Sequence, residues 1–257
     1  MSEECLTILI TDSVAEITLN RPKQYNSFNN KLREDLPELL EKLENMDEIR
    51  IVIIRGSGPG FTAGADLNEG FPSPISQHLE KEYKPIFDKI VKSRLLYIAS
   101  VHGSAAGIGS ALALACDFLI MSKSAKLSMI FSNIGLVPDG GATWLLEKAL
   151  GYRQALQLVV EGGKLSSDEC VKCGLANKVV SDDKLREESK TWAQLLATRP
   201  PLASSGAKRL LRKAPSYSYD DAFMAEALEQ DKVSISEDFK NAVTSFFKKE
   251  QPTFKGK

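Results

Sequence analysis

The sequence has no long apolar run and no excess charge of one sign, and it is poor in cysteine and histidine. No apolar stretch approaches the roughly 20 residues that a membrane-spanning helix needs. Residues 1–20 lack the basic start and apolar core of a signal peptide, and the final "FKGK" is not a peroxisomal address. We therefore expect a cytoplasmic protein with no membrane partner.

The charge is almost balanced, with 33 Lys and Arg against 34 Asp and Glu and a formal net charge of −1. A protein that binds nucleic acid mainly through phosphate contacts needs a basic surface. The composition gives no electrostatic reason to expect nucleic acid or a membrane surface as the main partner.

Four cysteines are too few for a disulfide scaffold at this length: Cys5, Cys116, Cys170 and Cys173. The "CVKC" segment has the spacing of a redox motif or half a zinc site, but a zinc site needs a second pair of ligands. The two histidines, His78 and His102, have no partner at ligand spacing. The segment is more typical of a short capped helix that ends at Gly174, so we predict packing cysteines and no metal.

The chain of 257 residues is 43% hydrophobic and can bury a large core. Strand patterns such as "CLTILITDSVAEITLNRP", which predicts a hairpin, and "IRIVIIRG" alternate with helix patterns up to about residue 185. Four consecutive helix patterns follow. We predict an α/β core over residues 1–195 and a helical region over residues 196–257.

Two helix predictions concern the surroundings of the site. "NKLREDLPELLEKLENM" has leucines at helical spacing, and Pro37 within it predicts a kink or a late start. "ISQHLEKEYKPIFDKIVKSR" predicts one amphipathic helix, with these residues on one side: Leu79, Tyr83, Ile86, Phe87 and Ile90.

One acid stands alone in an uncharged stretch, "IFSNIGLVPDGGATW", residues 130–144. Asp139 lies between a proline and two glycines, a sequence that favours a chain reversal. It also precedes a helix pattern and could cap that helix. A carboxylate placed in a dry pocket to move protons is the third interpretation, and these residues alone leave all three open.

Two glycine-rich turns follow strand patterns: "GSGPGFTAGADLNEG" and "HGSAAGIGSALALACD". Small residues allow backbone N–H groups to approach a ligand closely. Neither turn has the Lys-Ser/Thr ending of a phosphate loop, and "GIGSAL" lacks the third glycine of a dinucleotide fingerprint. Together they supply two N–H donors that could converge on one oxygen, which is an oxyanion hole.

Three of these segments, in this order and spacing, resemble the crotonase superfamily of enoyl-CoA hydratases and isomerases: "FTAGADL", "AAGIGSALALACD" and "IGLVPDGG". The segments "NRPKQYNSFN", "GGKLSSDECVKCGLANKVV" and "PTFKGK" extend the resemblance over essentially the whole chain. It implies an α/β fold, a spiral of ββα turns with a C-terminal helical region that mediates trimers, often paired into hexamers. It also implies an acyl-CoA thioester substrate, with coenzyme A as part of the substrate and no metal or redox cofactor.

The resemblance places the two oxyanion donors on the backbone N–H groups of Ala65 and Ile108. The coenzyme A nucleotide falls beside Lys23 and Gln24, and a neighbouring subunit's tail would contribute near Phe254 and Lys255. The other residues assigned to substrate binding are Ala63, Gly64, Asp66, Leu67, Gly107, Gly109, Phe131, Ile134 and Leu136. Of the nearby acids, Asp66 is expected to cap a helix and Glu69 to lie on the solvated surface.

Hydratases of this family use two glutamates, and this chain has Ala111 and Phe131 at those positions. Neither side chain can transfer a proton, so ordinary hydratase chemistry is not expected. Asp139 holds the place of the single carboxylate of the family's Δ3,Δ2-enoyl-CoA isomerases, and its segment most resembles the bacterial 1,2-epoxyphenylacetyl-CoA isomerases. The same group would take a proton from C2 and return one at C4.

A base of this kind works best with a pKa raised towards neutrality. We predict that desolvation raises the pKa of Asp139, through the apolar side chains near it in sequence: Phe131, Ile134, Leu136 and Val137.

Other functions stay open if Asp139 points away from the donors. The chain would then be a coenzyme A thioester binder without chemistry, or an acyl-CoA hydrolase that uses another acid, with Asp66 and Glu69 as candidates. A hydratase that holds its water on Asp139 is the nearest enzymatic alternative. RNA binding occurs in the superfamily, but the balanced charge opposes it.

Overall fold

The computed structural model describes residues 4–70 and 72–257. Nine strands lie within these residues: β1 Leu6–Thr11, β2 Val14–Leu19, β3 Ile51–Gly56, β4 Leu96–Val101, β5 Ser104–Ala106, β6 Phe118–Ser122, β7 Lys126–Ser128, β8 Lys164–Ser166 and β9 Lys178–Val180.

The strands form two sheets. A six-stranded sheet has the order β1-β2-β3-β4-β6-β9, and a three-stranded sheet has the order β5-β7-β8. The predicted hairpin is confirmed, because β1 and β2 pair antiparallel around Asp12, whose φ of 52° suits a tight turn. The remaining pairs of the large sheet are parallel. From β4 to β7 successive strands alternate between the two sheets, which agrees with the predicted spiral.

Ten α-helices occur in the same described residues: α1 Asn30–Glu44, α2 Ile75–His78, α3 Lys84–Val91, α4 Ile108–Ala115, α5 Ala142–Val160, α6 Ser167–Lys172, α7 Leu185–Ala197, α8 Pro201–Lys213, α9 Tyr219–Ser234 and α10 Glu237–Lys248. None of these helices has both the length and the apolar character needed to cross a membrane.

Helix α1 is continuous through Pro37, so the late start is wrong. Asn29 caps the helix, its side chain accepting a hydrogen bond from Leu32 N at 3.0 Å. Leucines on both sides of the proline are buried in the core. Their burial offsets the one backbone hydrogen bond that proline cannot donate.

The segment predicted as one helix over residues 75–94 is interrupted. A π-helical turn, Leu79–Tyr83, separates α2 from α3, and Pro85 stands at the start of α3. Proline cannot donate a backbone hydrogen bond, so the regular pattern of α-helical hydrogen bonds is interrupted there. A wider π turn is one way in which a helix accommodates such an interruption. Tyr83 is the last residue of the π turn, and Phe87 lies in the first turn of α3.

The main core lies between the large sheet and helices α1, α3 and α4, while a second cluster fills the other face of the sheet beneath α7. Helix α8 is anchored by the buried Lys208, whose Nζ donates to Ile90 O, Leu95 O and Asp117 Oδ2, each at 2.8 Å. Residue 195, the predicted boundary of the helical region, falls in the last turn of α7, and the division stays a prediction.

Candidate active site

The two glycine-rich turns contact each other. Thr62 and Ala105 form an isolated parallel bridge. A Cβ added to Gly64 would lie 2.6 Å from Ala106 O and 3.5 Å from Ile108 N, and one added to Gly109 would lie 3.4 Å from Gly64 N. Only glycine allows the two backbones to approach this closely.

Two backbone N–H groups at this contact are available to a ligand. Gly64 O accepts from Phe28 N at 2.7 Å and Asp66 N donates to Phe28 O at 3.1 Å, which leaves the Ala65 N–H between them. Ile108 is the first residue of α4, so its N–H has no acceptor within the helix. Among residues 4–70 and 72–257 we find no protein acceptor for either N–H.

The first turn is held by Asn26, which the sequence analysis did not single out. Its Nδ2 donates to Ser57 O at 2.8 Å, Gly60 O at 2.9 Å and Phe61 O at 3.1 Å. Thr62 Oγ1 donates to Asn26 O at 2.7 Å and accepts from Gly64 N at 3.1 Å. The backbone of Asn26 has a φ of 56°, a conformation that asparagine tolerates better than most residues.

Asp66 is a cap, as predicted. Its carboxylate accepts from Asn68 N at 3.2 Å at the start of a 3-10 turn, Leu67–Glu69, and pairs with Arg21 at 3.0 Å. Burial by itself would raise the pKa of Asp66, but Arg21 and the hydrogen bonds from Asn68 and Ser27 hold that pKa below its ordinary value. This carboxyl group is poorly suited to proton transfer near neutral pH.

The second turn leads into the buried helix α4. Gly107, with a φ of 55°, precedes the helix. Ser110 Oγ donates to Ala105 O at 2.6 Å and accepts from Ser128 N at 3.1 Å, which ties the helix to the small sheet. The positive end of the helix dipole therefore lies at the Ile108 N–H.

Asp139 does not cap α5. The residue that precedes this helix is Gly141, and no side chain caps it. Asp139 contributes its backbone oxygen to Ala142 N at 3.0 Å, and Gly140 and Gly141 have positive φ angles of 61° and 80°. The chain reversal is therefore made by the backbone, and the carboxylate is left for another role.

The Asp139 side chain is half-buried, and one of its carboxylate oxygens is fully buried. Its Oδ1 has no hydrogen-bond partner in the part of the chain that the structure describes. Burial raises the pKa of Asp139 from 3.8 to about 6, slightly offset by a hydrogen bond from its own backbone N–H. A buried carboxylate oxygen without a partner is costly to the fold and is typical of functional sites.

The side chains beside this loop differ from those expected. Ile134 is 53% exposed and Val137 is 81% exposed, so the prediction that they desolvate Asp139 is wrong. A Cβ added to Gly140 would lie 2.8 Å from both Ala111 Cβ and Phe87 Cζ, which shows that the loop contacts α4 and α3. Residues distant in sequence therefore surround the loop that carries Asp139.

Phe131 and Leu136 are shielded from solvent, unlike Ile134 and Val137. Phe131 is buried, and its ring edge lies 3.9 Å from the position of a Cβ added to Gly107. Leu136 is half-buried against the main core. Phe131 therefore lies beside the second turn, whereas Leu136 is shown only to pack against the core.

Glu69 is exposed but paired. It accepts from Asn30 N at 2.9 Å and forms an ion pair with the buried Arg33 at 3.0 Å. Arg33 also donates to Glu82 at 2.7 Å. Glu69 therefore links the loop after Asp66 to α1 and to the π turn, a structural role that its predicted place on the solvated surface did not include.

The residues expected to bind the nucleotide lie on an exposed turn. Lys23 and Gln24 are exposed in a 3-10 turn, Pro22–Gln24, and Ala63 and Leu67 are exposed nearby. A Cβ added to Gly58, just beyond the carboxyl end of β3, would lie 2.6 Å from Pro22 Cβ. This turn therefore lies near that end of the strand.

The C-terminal segment of this chain is bound far from the turn that carries Lys23 and Gln24. Arg50, at the amino end of β3, donates to Phe254 O, and Lys255 N donates to Asp238 Oδ1 at 2.7 Å. A six-residue strand is roughly 17 Å long. The tail of this chain is therefore held near the opposite end of β3 from its own Lys23.

The cysteines are unpaired. Cys170 is buried in α6, which begins with a capping box at Ser166, and Gly174 follows it in a left-handed conformation, as predicted. Burial raises the pKa of the Cys170 thiol to about 12, so this thiol is a poor nucleophile. In the described ranges no group of three or more His, Cys, Asp or Glu side chains has metal-site geometry.

A cavity of about 370 Å³ lies between the π turn, α3 and the loop after Asp139. It is lined by Leu79, Glu80, Tyr83, Lys84, Phe87, Asp88, Gly140 and Gly141. A larger cavity of about 510 Å³, bounded by α5, α7 and α8, contains none of the predicted site residues. Position relative to Asp139, rather than size, therefore identifies the candidate acyl pocket.

Comparison with known proteins adds independent information. The family model described as enoyl-CoA hydratase/isomerase matches residues 10–257. The chain is 35% identical to the 1,2-epoxyphenylacetyl-CoA isomerase of Escherichia coli, over 96% of this chain and 97% of the relative. It is 32% identical to a probable enoyl-CoA hydratase of Rhodobacter capsulatus, over 100% of both. The crystal structure of an enoyl-CoA hydratase from Bacillus anthracis superposes with a TM-score of 0.92 at 27% identity, covering 98% of this chain and 100% of that one.

Proposed function

The chain belongs to the enoyl-CoA hydratase/isomerase family, and we propose that within it the chain isomerises a double bond in an acyl-CoA thioester, with Asp139 as the only acid–base group. The observation that carries this proposal is the buried Oδ1 of Asp139, which has no partner among the described residues. Ala111, at the position of one hydratase glutamate, lies beside the same loop. A site with one proton-transferring group suits proton removal and return better than the addition of water.

The proposed mechanism begins with the thioester oxygen accepting hydrogen bonds from the N–H groups of Ala65 and Ile108. These donors stabilise the negative charge that develops on that oxygen. Ionised Asp139 removes a proton from C2, and the electrons move through the C3–C4 double bond to form a dienolate. The protonated Asp139 then returns a proton at C4, which leaves the double bond between C2 and C3. No metal or further cofactor takes part in this proposal.

The pKa of about 6 for Asp139 suits both steps. At neutral pH the group is mostly ionised and can act as a base, and once protonated it is acidic enough to release its proton again. The isomerase relative supports this reaction class. Hydration is the second candidate, because other relatives carry hydratase names.

Parallel assays on 3-hexenoyl-CoA and 2-hexenoyl-CoA separate the two reactions. We expect conversion of the first thioester and no hydration of the second. Hydration of the second would contradict the isomerase proposal and indicate that Asp139 activates water. If neither reacts, 1,2-epoxyphenylacetyl-CoA is the next substrate, and failure there too would indicate a thioester-binding protein without this chemistry.

We also propose that the chain self-associates, as a trimer or a hexamer, through its last two helices. The described residues of α9 and α10 leave large apolar side chains exposed: Tyr219, Phe223, Met224, Leu228, Phe246 and Phe247. Monomers rarely expose so many together. Light scattering after gel filtration should give three or six times the chain mass of 28.2 kDa, and the mass of a single chain would contradict self-association.

A further inference from the structure

Tyr83 is a polar residue in an apolar wall. It is 4% exposed and ends the π turn. Its ring lies 6.1 Å from the Phe28 ring and 5.4 Å, edge-on, from the His78 ring. The guanidinium carbon of Arg33 lies 5.5 Å from the centre of the Tyr83 ring. The ring is therefore fixed on several sides.

The hydroxyl proton of Tyr83 has no acceptor in the part of the chain that the structure describes. Arg33, its cationic neighbour, carries only donors, which are directed to Phe28 O at 2.8 Å, Glu82 at 2.7 Å, Glu69 at 3.0 Å and the phenol oxygen itself, so it cannot accept the phenol proton. No hydrogen bond from the Tyr83 hydroxyl is found among residues 4–70 and 72–257. Burial raises the pKa of Tyr83 to about 12, so at neutral pH the phenol keeps its proton.

Tyr83 faces the cavity beside Asp139. It lines the 370 Å³ space together with Leu79, Phe87 and Gly140, and Gly140 is the residue after Asp139. The charge of Asp139 is close enough to add to the rise in the pKa of Tyr83. A group in this cavity that reacts with Asp139 would therefore be near the phenol.

We propose that Tyr83 donates a hydrogen bond to an oxygen atom in the acyl part of the substrate, beyond the thioester, so that the preferred substrates are acyl-CoA thioesters with an oxygen-bearing acyl group. This inference rests on the proposed function, because it assumes that the acyl group enters this cavity. A hydrocarbon chain that filled the cavity would displace water and leave the phenol O–H without an acceptor, and sites with such donors discriminate against analogues that lack the acceptor.

The test uses a matched pair of thioesters that differ at one ring atom. Cyclohex-1-enylacetyl-CoA is compared with its dihydropyranyl counterparts, in which oxygen replaces one ring methylene at either of two positions. We expect kcat/KM to be about 10- to 100-fold higher for at least one oxygen-containing ring. Tyr83→Phe should lower kcat/KM for that oxygen-containing ring by the same factor. It should change kcat/KM for the hydrocarbon ring by no more than about threefold from the wild-type value.

Tyr97→Phe is the matched control. Tyr97 is another buried tyrosine, and its oxygen has no partner among the described residues, but it lies on β4 and lines none of this cavity. The control removes the same atom and should keep the wild-type preference. Two results would overturn the proposal. One is an equal loss of kcat/KM on the oxygen-containing and hydrocarbon rings in Tyr83→Phe. The other is a wild type that prefers neither oxygen-containing isomer over the hydrocarbon ring.

Binding measurements test the role of Tyr83 even if the protein is not an isomerase. If the wild type turns over none of these thioesters, dissociation constants are measured for cyclohexylacetyl-CoA and tetrahydropyranylacetyl-CoA, which cannot isomerise. Tighter binding of the oxygen-containing ring by the wild type and not by Tyr83→Phe would support the role of Tyr83 without catalysis. Equal binding of the two rings by the wild type would overturn it.

Discussion

Asp139→Asn is expected to lower kcat by about 100- to 10,000-fold, the usual contribution of a general base, while the dissociation constant of an acyl-CoA substrate changes little. Asparagine has nearly the same shape but cannot accept the C2 proton. The chain reversal should survive, because it depends on the backbone oxygen of residue 139 and on Gly140 and Gly141. Single-turnover rates and binding measured on the same samples separate the two effects.

Asp220→Asn is a suitable control for that variant, because Asp220 is an exposed acid in the first turn of α9. It should leave both rate and binding unchanged. If Asp139→Asn instead weakened binding as much as it lowered the rate, Asp139 would be a structural turn residue and the proposed mechanism would be wrong.

Comparing the wild type with Asp139→Asn assigns the pH dependence of kcat/KM to Asp139. With a pKa of about 6, Asp139 loses its negative charge as the pH falls through that value, so kcat/KM of the wild type should fall about tenfold per pH unit below it. The residual activity of Asp139→Asn should lack this inflection. A wild-type profile that stayed flat through this range would contradict Asp139 as the base.

The raised pKa also affects stability. The native state binds the Asp139 proton more tightly than the unfolded chain, so ionisation destabilises the fold. This cost is absent below the ordinary value of 3.8, grows as the pH rises, and is complete above about 6. It amounts at most to about 3 kcal/mol, since one pKa unit corresponds to about 1.4 kcal/mol. Asp139→Asn should therefore raise Tm by several degrees at neutral pH and by little in acid.

The motifs of the site could be predicted from the sequence, but their surroundings could not. Asp139 and the two glycine turns stand out locally, because an isolated acid and glycines after strands are visible in the residue order. The sequence predicts desolvation of Asp139 by four apolar side chains near it, but two of these, Ile134 and Val137, face solvent. The loop instead contacts Phe87 and Ala111, and only the folded chain brings them to it.

Strands were predicted more successfully than the irregular segments. The β-branched run of β3 and the largely apolar β4 leave few alternatives, since both are buried on two faces. The π turn, by contrast, depends on how Pro85 is accommodated against the core, and helical periodicity does not report it. The helical periodicity therefore places Tyr83 simply on the apolar face of a helix. Only the folded chain shows that its neighbour is Arg33, which cannot accept the proton of the Tyr83 hydroxyl.

Gly109→Ala is expected to lower kcat/KM by about 100- to 1000-fold, comparable to the loss of one oxyanion donor. The backbone of Gly109 does not have a positive φ, so alanine introduces no backbone strain and its effect is steric. The added Cβ would lie 2.4 Å from Thr62 Cγ2 and 3.0 Å from Thr62 O. The clash would separate the two turns and move the Ile108 N–H away from the Ala65 N–H.

A second substitution tests this explanation directly. Thr62→Ser removes the methyl group that clashes with the new Cβ and keeps the hydroxyl that bonds Asn26 and Gly64. The double variant should recover a large part of the lost activity, a non-additive result expected only for contacting residues. Gly206→Ala, where the new Cβ meets the flexible carboxylate of Glu229, is the control and should be active. If Thr62→Ser gave no rescue while all variants remained folded, the spacing of the two turns would not control catalysis, and the assignment of the oxyanion donors to Ala65 and Ile108 would lose its support.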